Sequence, residues 1–488
     1  MAIEGTTMRA RTRLGQLVRG AVVAIALLST SAPMGARPQA VDGRLPTDAQ
    51  RPNIVLIYID DMGWRDLGVQ GSAYYDTPNI DQLAAEGMRF TNAYANAPNC
   101  APSRAALLSG QYAPRTGIYT VGSAERGRAE NRKLVPVTNR ETLDLNVVTL
   151  AESLSAAGYT TGQIGKWHLG GTGWLPTDQG FSWAIGGDHQ GSPPSHRFPY
   201  RRAGRSLPGL ETGKDGEYLS DRLTDEAIGF VERHQSDPFF LYLSHYGVHT
   251  PIQGRSDLIE RFRDKPGSNG HDNPEYAAMV GAVDDGVGRL LDTLTRLELA
   301  SNTIVIFTSD NGGFGPVTSM APLRGSKGMI YDGGIRVPLI VRWPGRVTAG
   351  SVTHDPVIAT DFYPTFLNVT GAKPPAGQVL DGRNILQVLT ASGALPTRDL
   401  FWHIPVYLEA DRSVTGPWRT TPASAIRRGD YKLVHFFEDQ RWELYNLAED
   451  ISESRDLSTL MPERTAELRV ALEAWWAETD AFIPRPKL

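Results

Sequence analysis

The feature that most constrains the fold of this chain is a series of short strand-like runs separated by helical patterns. The first run, residues 53–59, is continuously apolar and rich in β-branched residues, and further runs occupy residues 159–165, 239–243, 303–309 and 339–345. Continuous apolar strands are typical of parallel sheets that are covered on both faces. The alternation of strands and helices therefore predicts an α/β protein with one large sheet, mostly parallel or mixed, sandwiched by helices.

The pattern changes near residue 395, where the strand-like runs become shorter and are separated by turn residues. These runs lie at residues 400–403, 424–427, 431–436 and 442–446. They predict an antiparallel sheet, and a helical pattern at residues 462–476 closes the chain. We therefore predict a large domain at residues 50–395 and a smaller C-terminal α+β domain at residues 396–488.

The N-terminal segment predicts export. Residues 1–40 combine a basic start, an apolar core at residues 21–28 and a small, proline-rich stretch, which is the order of a secretory signal peptide. The apolar core is too short for a stable membrane anchor, and no later stretch is apolar for long enough to span a bilayer. An uncleaved anchor is the alternative. We expect an exported protein, periplasmic or extracellular, with no stable membrane span after signal cleavage.

The charge balance argues against one class of partner. The chain carries 49 Lys and Arg against 54 Asp and Glu, a formal net charge of −5. A nucleic-acid-binding protein usually has a basic surplus. We therefore expect no nucleic acid among the partners of this protein.

Four of the predicted strands are followed closely by polar side chains. These are Asp60 with Asp61, Lys166 with His168, His249, and Asp310 with Asn311. In one doubly wound sheet the carboxyl ends of parallel strands meet at one edge, where ligands bind. Three carboxylates and an amide oxygen suit Ca²⁺, or Mg²⁺ if water completes the coordination, and there is no thiolate set for zinc. Taken alone, each acidic pair is equally typical of a helix cap or a turn.

Cys100 is the only cysteine in the chain, so no intrachain disulfide can form. A lone thiol is a liability in an oxidising compartment unless it has a use. The residues that follow are Ala101, Pro102, Ser103 and Arg104. An apolar run comes next and predicts a helix, whose positive N-terminal end would face position 100. A buried structural cysteine is the alternative interpretation.

The Cys-Ala-Pro-Ser-Arg element at residues 100–104 resembles the signature of the type I, formylglycine-dependent sulfatases, which belong to the alkaline-phosphatase-like superfamily. The resemblance extends from residue 52 to residue 457. Further matching elements lie at residues 60–63, 77–81, 165–170, 309–312 and 333–338. The resemblance implies a sulfuric ester hydrolase in which Cys100 is converted to Cα-formylglycine by a formylglycine-generating or sulfatase-maturing enzyme during biosynthesis.

The resemblance also implies a set of site residues. The implied metal ligands are Asp60, Asp61, Cys100 (as formylglycine), Asp310 and Asn311. The implied catalytic residues are Cys100, Arg104, Lys166, His168, His249 and Lys327. Hydrated formylglycine is a geminal diol, and one of its hydroxyls would attack sulfur after a carboxylate such as Asp310 takes its proton.

The remaining roles follow from the same chemistry. The metal ion and the two lysines would neutralise the sulfate oxygens. His249 would protonate the departing alcohol, and His168 would take the proton of the second hydroxyl so that sulfate is expelled. Arg104 would hold the diol in place.

The sequence constrains the substrate least. The candidate substrate-binding residues are His189, Arg324 and His403. Basic segments at residues 126–140 and 201–202 could also line subsites for an anionic glycan, although such clusters are equally typical of a solvated surface. We expect a sulfated carbohydrate because the chain is predicted to be exported. Two alternatives stay open: a phosphoester or phosphonate ester hydrolase of the same superfamily, and, with an unmodified cysteine, a Ca²⁺-stabilised protein that only binds glycans.

Overall fold

The computed structural model describes residues 51–487. The signal peptide predicted at residues 1–40 lies outside this range and stays a prediction. The strands are, in chain order, β1 (Asn53–Ile59), β2 (Met88–Phe90), β3 (Ala93–Tyr94), β4 (Thr160–Gly165), β5 (Trp183–Ile185), β6 (Phe239–His245), β7 (Thr303–Ser309), β8 (Leu339–Arg342), β9 (Ser351–Thr353), β10 (Val357–Ile358), β11 (Asp399–Ile404), β12 (Leu408–Glu409), β13 (Trp418–Thr420), β14 (Ala423–Arg428), β15 (Tyr431–Phe436) and β16 (Arg441–Asn446).

The α-helices, numbered in the same way, lie between and after these strands. They are α1 (Pro78–Glu86), α2 (Cys100–Ser109), α3 (Ala113–Thr116), α4 (Leu150–Ala156), α5 (Leu219–Arg233), α6 (Ser256–Arg263), α7 (Pro274–Arg296), α8 (Asp332–Ile335), α9 (Phe362–Thr370), α10 (Leu386–Leu389) and α11 (Pro462–Glu478). Among residues 51–487, none of the helices is both long enough and apolar enough to cross a membrane.

The largest sheet has eight strands in the order β5-β4-β6-β1-β7-β8-β2-β9. The five strands from β5 to β7 are parallel to one another, whereas β8 is antiparallel to both of its neighbours. The sheet is therefore mixed, and the predicted fold class is confirmed. Strands β2 and β9, at one end of the sheet, have three residues each, which is too short for a periodic pattern to mark them in the sequence.

Strand β1 shows why helices must cover both faces of this sheet. All seven of its residues are buried. Successive side chains of a strand point to opposite faces, so Ile54 and Leu56 lie in one core and Val55 and Ile57 in the other. Helices α2, α4 and α9 contribute to the first core, and helices α1, α5 and α7 to the second. Each buried aliphatic side chain contributes roughly 1.5–3 kcal/mol, which favours the sandwich.

The C-terminal part contains the predicted antiparallel sheet, with strand order β11-β14-β15-β16. The closing helix α11 packs its buried residues Leu468, Leu472 and Trp475 into the core of this sheet. A separate two-stranded sheet pairs β12 with β13. The division of the chain into domains at residue 395 stays a prediction.

Candidate active site

Four neighbouring parallel strands, β4, β6, β1 and β7, bring polar side chains to one edge of the large sheet. Asp60 and Asp61 follow β1, Lys166 and His168 follow β4, His249 follows β6, and Asp310 and Asn311 follow β7. The carboxyl ends of parallel strands meet at one edge, so the structure brings these residues together as the sequence predicts. All three carboxylates are buried, at 0–1% exposure.

Helix α2 brings Cys100 to the same edge. The helix begins at Cys100 itself, whose backbone N–H donates to Asn99 Oδ1 at 3.2 Å. The residue is only 2% exposed, and its sulfur lies 4.0 Å from Asp61 Oδ1. One ligand atom from each of Asp60, Asp61, Cys100 and His249 lies within 4.8 Å of the others. The thiol is therefore part of the polar cluster and not of the apolar core.

The three buried carboxylates are matched by three cations. The pairs are Arg104 with Asp310, Lys166 with Asp60, and Lys327 with Asp61. Arg104 Nε and Nη2 donate to the same oxygen of Asp310 at 3.0 and 2.7 Å. Lys166 Nζ lies 2.8 Å from both oxygens of Asp60, and Lys327 Nζ lies 2.7 Å from Asp61 Oδ2. Because a lone charge is costly to remove from water, each of these buried groups lies beside a partner of opposite sign. Burial nevertheless holds the pKa of Asp60 well above its usual range.

The charges of two of the carboxylates are reinforced by their surroundings. Burial alone would raise the pKa of Asp61, but the charge of Lys327 holds that pKa below its usual range. Burial also opposes ionisation of Asp310, and the Arg104 guanidinium outweighs it and lowers the pKa of that carboxyl. Both groups are therefore carboxylates at neutral pH, which is the form that binds a metal ion.

Asn311 provides the test of whether a divalent ion fits. Its Nδ2 donates to Asp61 Oδ1 at 2.9 Å and to Gly312 O at 2.9 Å. Its Oδ1 is buried and accepts no hydrogen bond from any residue in the described part of the chain. A buried acceptor without a donor is rare, and a cation is one partner that satisfies it. With the carboxylate oxygens of Asp60, Asp61 and Asp310, the donor set fits Ca²⁺ or Mg²⁺.

His168 is held in a form that can accept a proton. Burial, and then the positive charges of Lys166 and Arg104, keep its pKa well below the usual value, so the ring is neutral at pH 7. Its backbone lies in the left-handed region, with φ 63°, and so does that of Asp61, with φ 66°. Left-handed backbone at residues other than glycine is uncommon and clusters at functional sites.

His249 is oriented by its own neighbour in the chain. Its Nδ1 lies 2.8 Å from Thr250 O and must donate, because a carbonyl oxygen only accepts. Its Nε2 lies 3.6 Å from Asp61 Oδ2. Burial and the charge of Lys327 lower the pKa of His249, and the carboxylates of Asp60 and Asp61 oppose this shift. Nε2 can therefore donate a proton only when the ring is positively charged.

A cleft of about 370 Å³ opens above the polar cluster. Cys100, His168, His249 and Lys327 line its floor and walls. Outside this set it is lined by Arg126, Arg205, Arg419 and Glu409, with Gly191 and Ser192 among the small residues. Sequence reasoning included Arg126 in a basic segment but missed Arg205, Arg419 and Glu409. These residues lie in a turn-rich loop and on the short strands β12 and β13, where no periodicity or motif distinguishes them.

The structure does not bring the three predicted substrate-binding residues into this cleft. His403, on β11, is 3% exposed, and its Nε2 donates to Phe482 O at 3.0 Å, so its ring belongs to the C-terminal core. Arg324 lines a separate cavity of about 760 Å³, where its guanidinium lies 3.8 Å from the ring centre of Tyr331. His189 is exposed and is not among the residues that line the cleft.

A mixed α/β sheet whose strand ends surround a buried cysteine with carboxylates, lysines and histidines defines a hydrolase of negatively charged esters. The family model described as sulfatase matches residues 52–372, and one described as N-sulphoglucosamine sulphohydrolase, C-terminal, matches residues 326–475. The chain therefore belongs to the sulfatase family and is a sulfuric ester hydrolase, as the sequence predicts.

Known relatives cover most of the chain. A sulfatase of Formosa agariphila is 34% identical, over 90% of this chain and 93% of the relative. The N-acetylgalactosamine-6-sulfatase of Mus musculus is 32% identical, over 84% of this chain and 76% of the relative. The crystal structure of Ps i-CgsB in complex with k-i-k-neocarrahexaose superposes with a TM-score of 0.73 and 31% identity, covering 87% of this chain and 93% of that one.

Proposed function

We propose that this sulfuric ester hydrolase cleaves a carbohydrate O-sulfate, using a formylglycine made from Cys100 and one divalent ion, Ca²⁺. The observation that carries the proposal is the position of Cys100. It begins a buried helix, its sulfur lies 4.0 Å from Asp61 Oδ1, and it shares one cleft with His168, His249 and Lys327. A purely structural cysteine would be expected among apolar side chains.

Asp60, Asp61, Asp310 and Asn311 would hold the ion, and the unpaired Oδ1 of Asn311 is the contact that supports this assignment. When bound, a divalent cation supplies positive charge that stabilises sulfate oxygens and lowers the pKa of a neighbouring hydroxyl. We favour Ca²⁺ because the four protein donors are all oxygens, on the two loops after β1 and β7, whereas Mg²⁺ usually keeps several waters and has fewer protein ligands.

The formylglycine proposed at residue 100 would offer two hydroxyl groups when hydrated, whereas a serine has only one. One hydroxyl of the hydrated aldehyde would form the bond to sulfur as the bond from sulfur to the ester oxygen breaks. Loss of the proton of the second hydroxyl would then restore the aldehyde as the bond from its carbon to the sulfate oxygen breaks. Asp310 takes the proton of the first hydroxyl. Arg104 contacts Asp310 directly in the structure, so we assign it the role of holding this carboxylate.

The remaining side chains neutralise charge or transfer protons during the two steps of the reaction, which are the attack on sulfur and the release of sulfate. Lys166 and Lys327 neutralise the sulfate oxygens as negative charge shifts onto the ester oxygen. His249, in its positively charged form, gives its Nε2 proton to the departing alcohol. His168, which is neutral, then takes the proton of the second hydroxyl at residue 100, and sulfate leaves.

A sugar sulfate is the substrate that the relatives favour. The name of the mouse relative is N-acetylgalactosamine-6-sulfatase, and Ps i-CgsB was crystallised with k-i-k-neocarrahexaose. The cleft beside Cys100 also carries three arginines. We further propose that the protein is exported to the periplasm or the extracellular space, and that a formylglycine-generating enzyme acts on it during biosynthesis.

The test compares two esters of one alcohol on protein produced together with a formylglycine-generating enzyme. We expect turnover of 4-nitrophenyl sulfate to exceed that of 4-nitrophenyl phosphate, and sugar sulfates to be cleaved as well. Cys100→Ala should abolish all three activities. Faster turnover of the phosphate would make the protein a phosphoester hydrolase, and full activity of Cys100→Ala would refute the proposed nucleophile.

A further inference from the structure

The entrance of the cleft carries a surplus of positive charge that the proposed chemistry does not use. We call Arg126, Arg205, Arg419 and Glu409 the cleft rim, since they line the cleft outside the catalytic set. Three positive groups and one negative group line the cleft there, and Asp411 pairs with Arg419 from outside it, which leaves one positive charge in excess on a chain whose formal net charge is −5. The surplus is therefore local to the cleft and is not a property of the whole surface. The proposed chemistry already assigns Lys166 and Lys327 to the sulfate that is cleaved, and of these two Lys327 lines the cleft.

Arg205 has no local counter-charge. Its Nε donates to Gln190 Oε1 and its Nη2 donates to Ser192 O at 2.7 Å. Both acceptors are neutral, and Arg205 forms no ion pair with any residue in the range 51–487. These two bonds fix the guanidinium in place without neutralising it. An arginine held in this way is ready to bind an anion, because part of the cost of ordering the side chain is already met.

Arg419 lies beside Gly328, the neighbour of the catalytic Lys327, and uses one of its N–H groups in an ion pair. Its Nη1 donates to Asp411 Oδ2 at 2.8 Å. Its Nε is buried and donates to nothing in the described part of the chain. The guanidinium lies directly against Gly328, where an added Cβ would be 2.7 Å from Nε. The glycine next to Lys327 thus leaves the space in which Arg419 packs.

Arg126, like Arg419, is paired with a carboxylate. Its Nη1 lies 3.9 Å from Glu409 Oε2, and Glu409 Oε1 also accepts the N–H of Gly127 at 3.0 Å. The single carboxylate of the cleft rim is therefore already engaged by Arg126 and its neighbour. Among the described residues, the charge of the cleft rim that no carboxylate pairs with is therefore that of Arg205, and Arg419 adds guanidinium N–H groups that its contact with Asp411 does not use.

We propose that Arg205 and Arg419 bind a second anionic group of the substrate, a carboxylate or another sulfate, in addition to the sulfate that is cleaved. Guanidinium groups recognise both anions through charge-assisted hydrogen bonds. The substrate class is then a polyanionic glycan and not a sugar that carries one sulfate on an otherwise neutral chain. This inference rests on the proposed sulfatase function and narrows its substrate.

The experiment measures binding separately from turnover. In a Cys100→Ala background, which leaves the probes uncleaved, three tetrasaccharides are titrated calorimetrically at physiological salt. The first carries one sulfate on a neutral chain, the second carries a sulfate on every sugar, and the third alternates sulfates with uronate carboxylates. We expect the second or the third to bind at least about tenfold more tightly than the first, the effect of one good charge-assisted contact.

The variants assign that preference to residues. Arg205→Gln and Arg419→Gln should each remove most of the preference for probes with a second anion, while affinity for the singly sulfated probe stays within about twofold of the parent protein. Arg205→Lys should keep part of that preference, because lysine retains the positive charge. The matched control is Arg201→Gln, an exposed arginine of the same loop that does not line the cleft. If only the second probe binds more tightly than the first, the second anion is a sulfate. If only the third probe does, the second anion is a carboxylate.

Two results would overturn the inference. One is equal affinity of the Cys100→Ala protein for all three probes. The other is an equal loss for all three probes in the Arg205→Gln and Arg419→Gln variants, which would mean that the cleft rim only attracts the sulfate to be cleaved. Failure of the proposed function would be recognised separately, because the formylglycine-bearing wild-type chain would then not hydrolyse 4-nitrophenyl sulfate.

Discussion

Gly191 allows the role of His168 to be tested without removing the histidine. Its backbone φ is not in the left-handed region, so alanine is conformationally allowed there. A Cβ at this position would nevertheless lie 2.6 Å from His168 Nε2 and closer still to Cε1. Since carbon atoms in contact are normally separated by about 3.5–4.0 Å, the imidazole ring must move by about 1 Å in the Gly191→Ala variant. A displacement of that size costs a catalytic group about 10²-fold in rate.

The assay for Gly191→Ala is steady-state hydrolysis of 4-nitrophenyl sulfate with intact-protein mass spectrometry during turnover. We expect kcat to fall by about 10²-fold and sulfated enzyme to accumulate, because His168 acts after the alcohol has left. The control is Gly393→Ala, where an added Cβ meets nothing within 4 Å. A kcat within twofold of the wild type would refute the reasoning. A rise in KM alone would also refute it, since the methyl group would then only be obstructing the cleft.

Three further predictions address the other parts of the site and the fold. His249→Ala should lose about 10²–10⁴-fold in kcat/KM on a sugar sulfate but far less on 4-nitrophenyl sulfate, whose alcohol leaves without an acid; equal losses would reassign the proton donor. Asp310→Asn should lose the bound Ca²⁺, measured by elemental analysis, and reduce kcat by about 10³-fold; an active, metal-free variant would contradict the metal site. Burial lowers the pKa of His403 to about 4. Between about pH 4 and 6.5 the His403 ring is therefore protonated in the unfolded chain but neutral in the folded protein, so the stability of the folded protein rises with pH. His403→Gln should therefore shrink the difference in unfolding free energy between pH 5 and pH 8 by about 2 kcal/mol and leave kcat/KM unchanged; an unchanged pH dependence would contradict the neutral, buried ring.

The part of the fold that could be predicted is the part that local chemistry determines. Residues 54–59 and 304–307 are continuously apolar and rich in β-branched side chains, which is typical of a strand buried on both faces. The residues that follow parallel strands lie at one edge of the sheet, so Asp60 and Asp310 were expected to lie near each other. The direction of β8 could not be predicted, because an apolar run such as residues 339–342 does not specify the direction of its neighbour.

The substrate-binding residues illustrate what the sequence does not encode locally. His403 reads as a polar residue at the end of a short run, but its partner is the carbonyl of Phe482, 79 residues later, and that contact draws the ring into the C-terminal core. Arg205 and Arg419 are 214 positions apart and come together at the cleft only through the tertiary fold. Neither lies in a periodic element that would have indicated which way its side chain points.

The measurement that tests the account most directly is the chemical state of residue 100 in active protein. Peptide mapping of the chain, produced together with a formylglycine-generating enzyme, should find an aldehyde at this position that reacts with a hydrazide. The fraction of protein that carries the aldehyde should match the fraction of active sites. Fully active protein that carries only the Cys100 thiol would contradict the proposed mechanism.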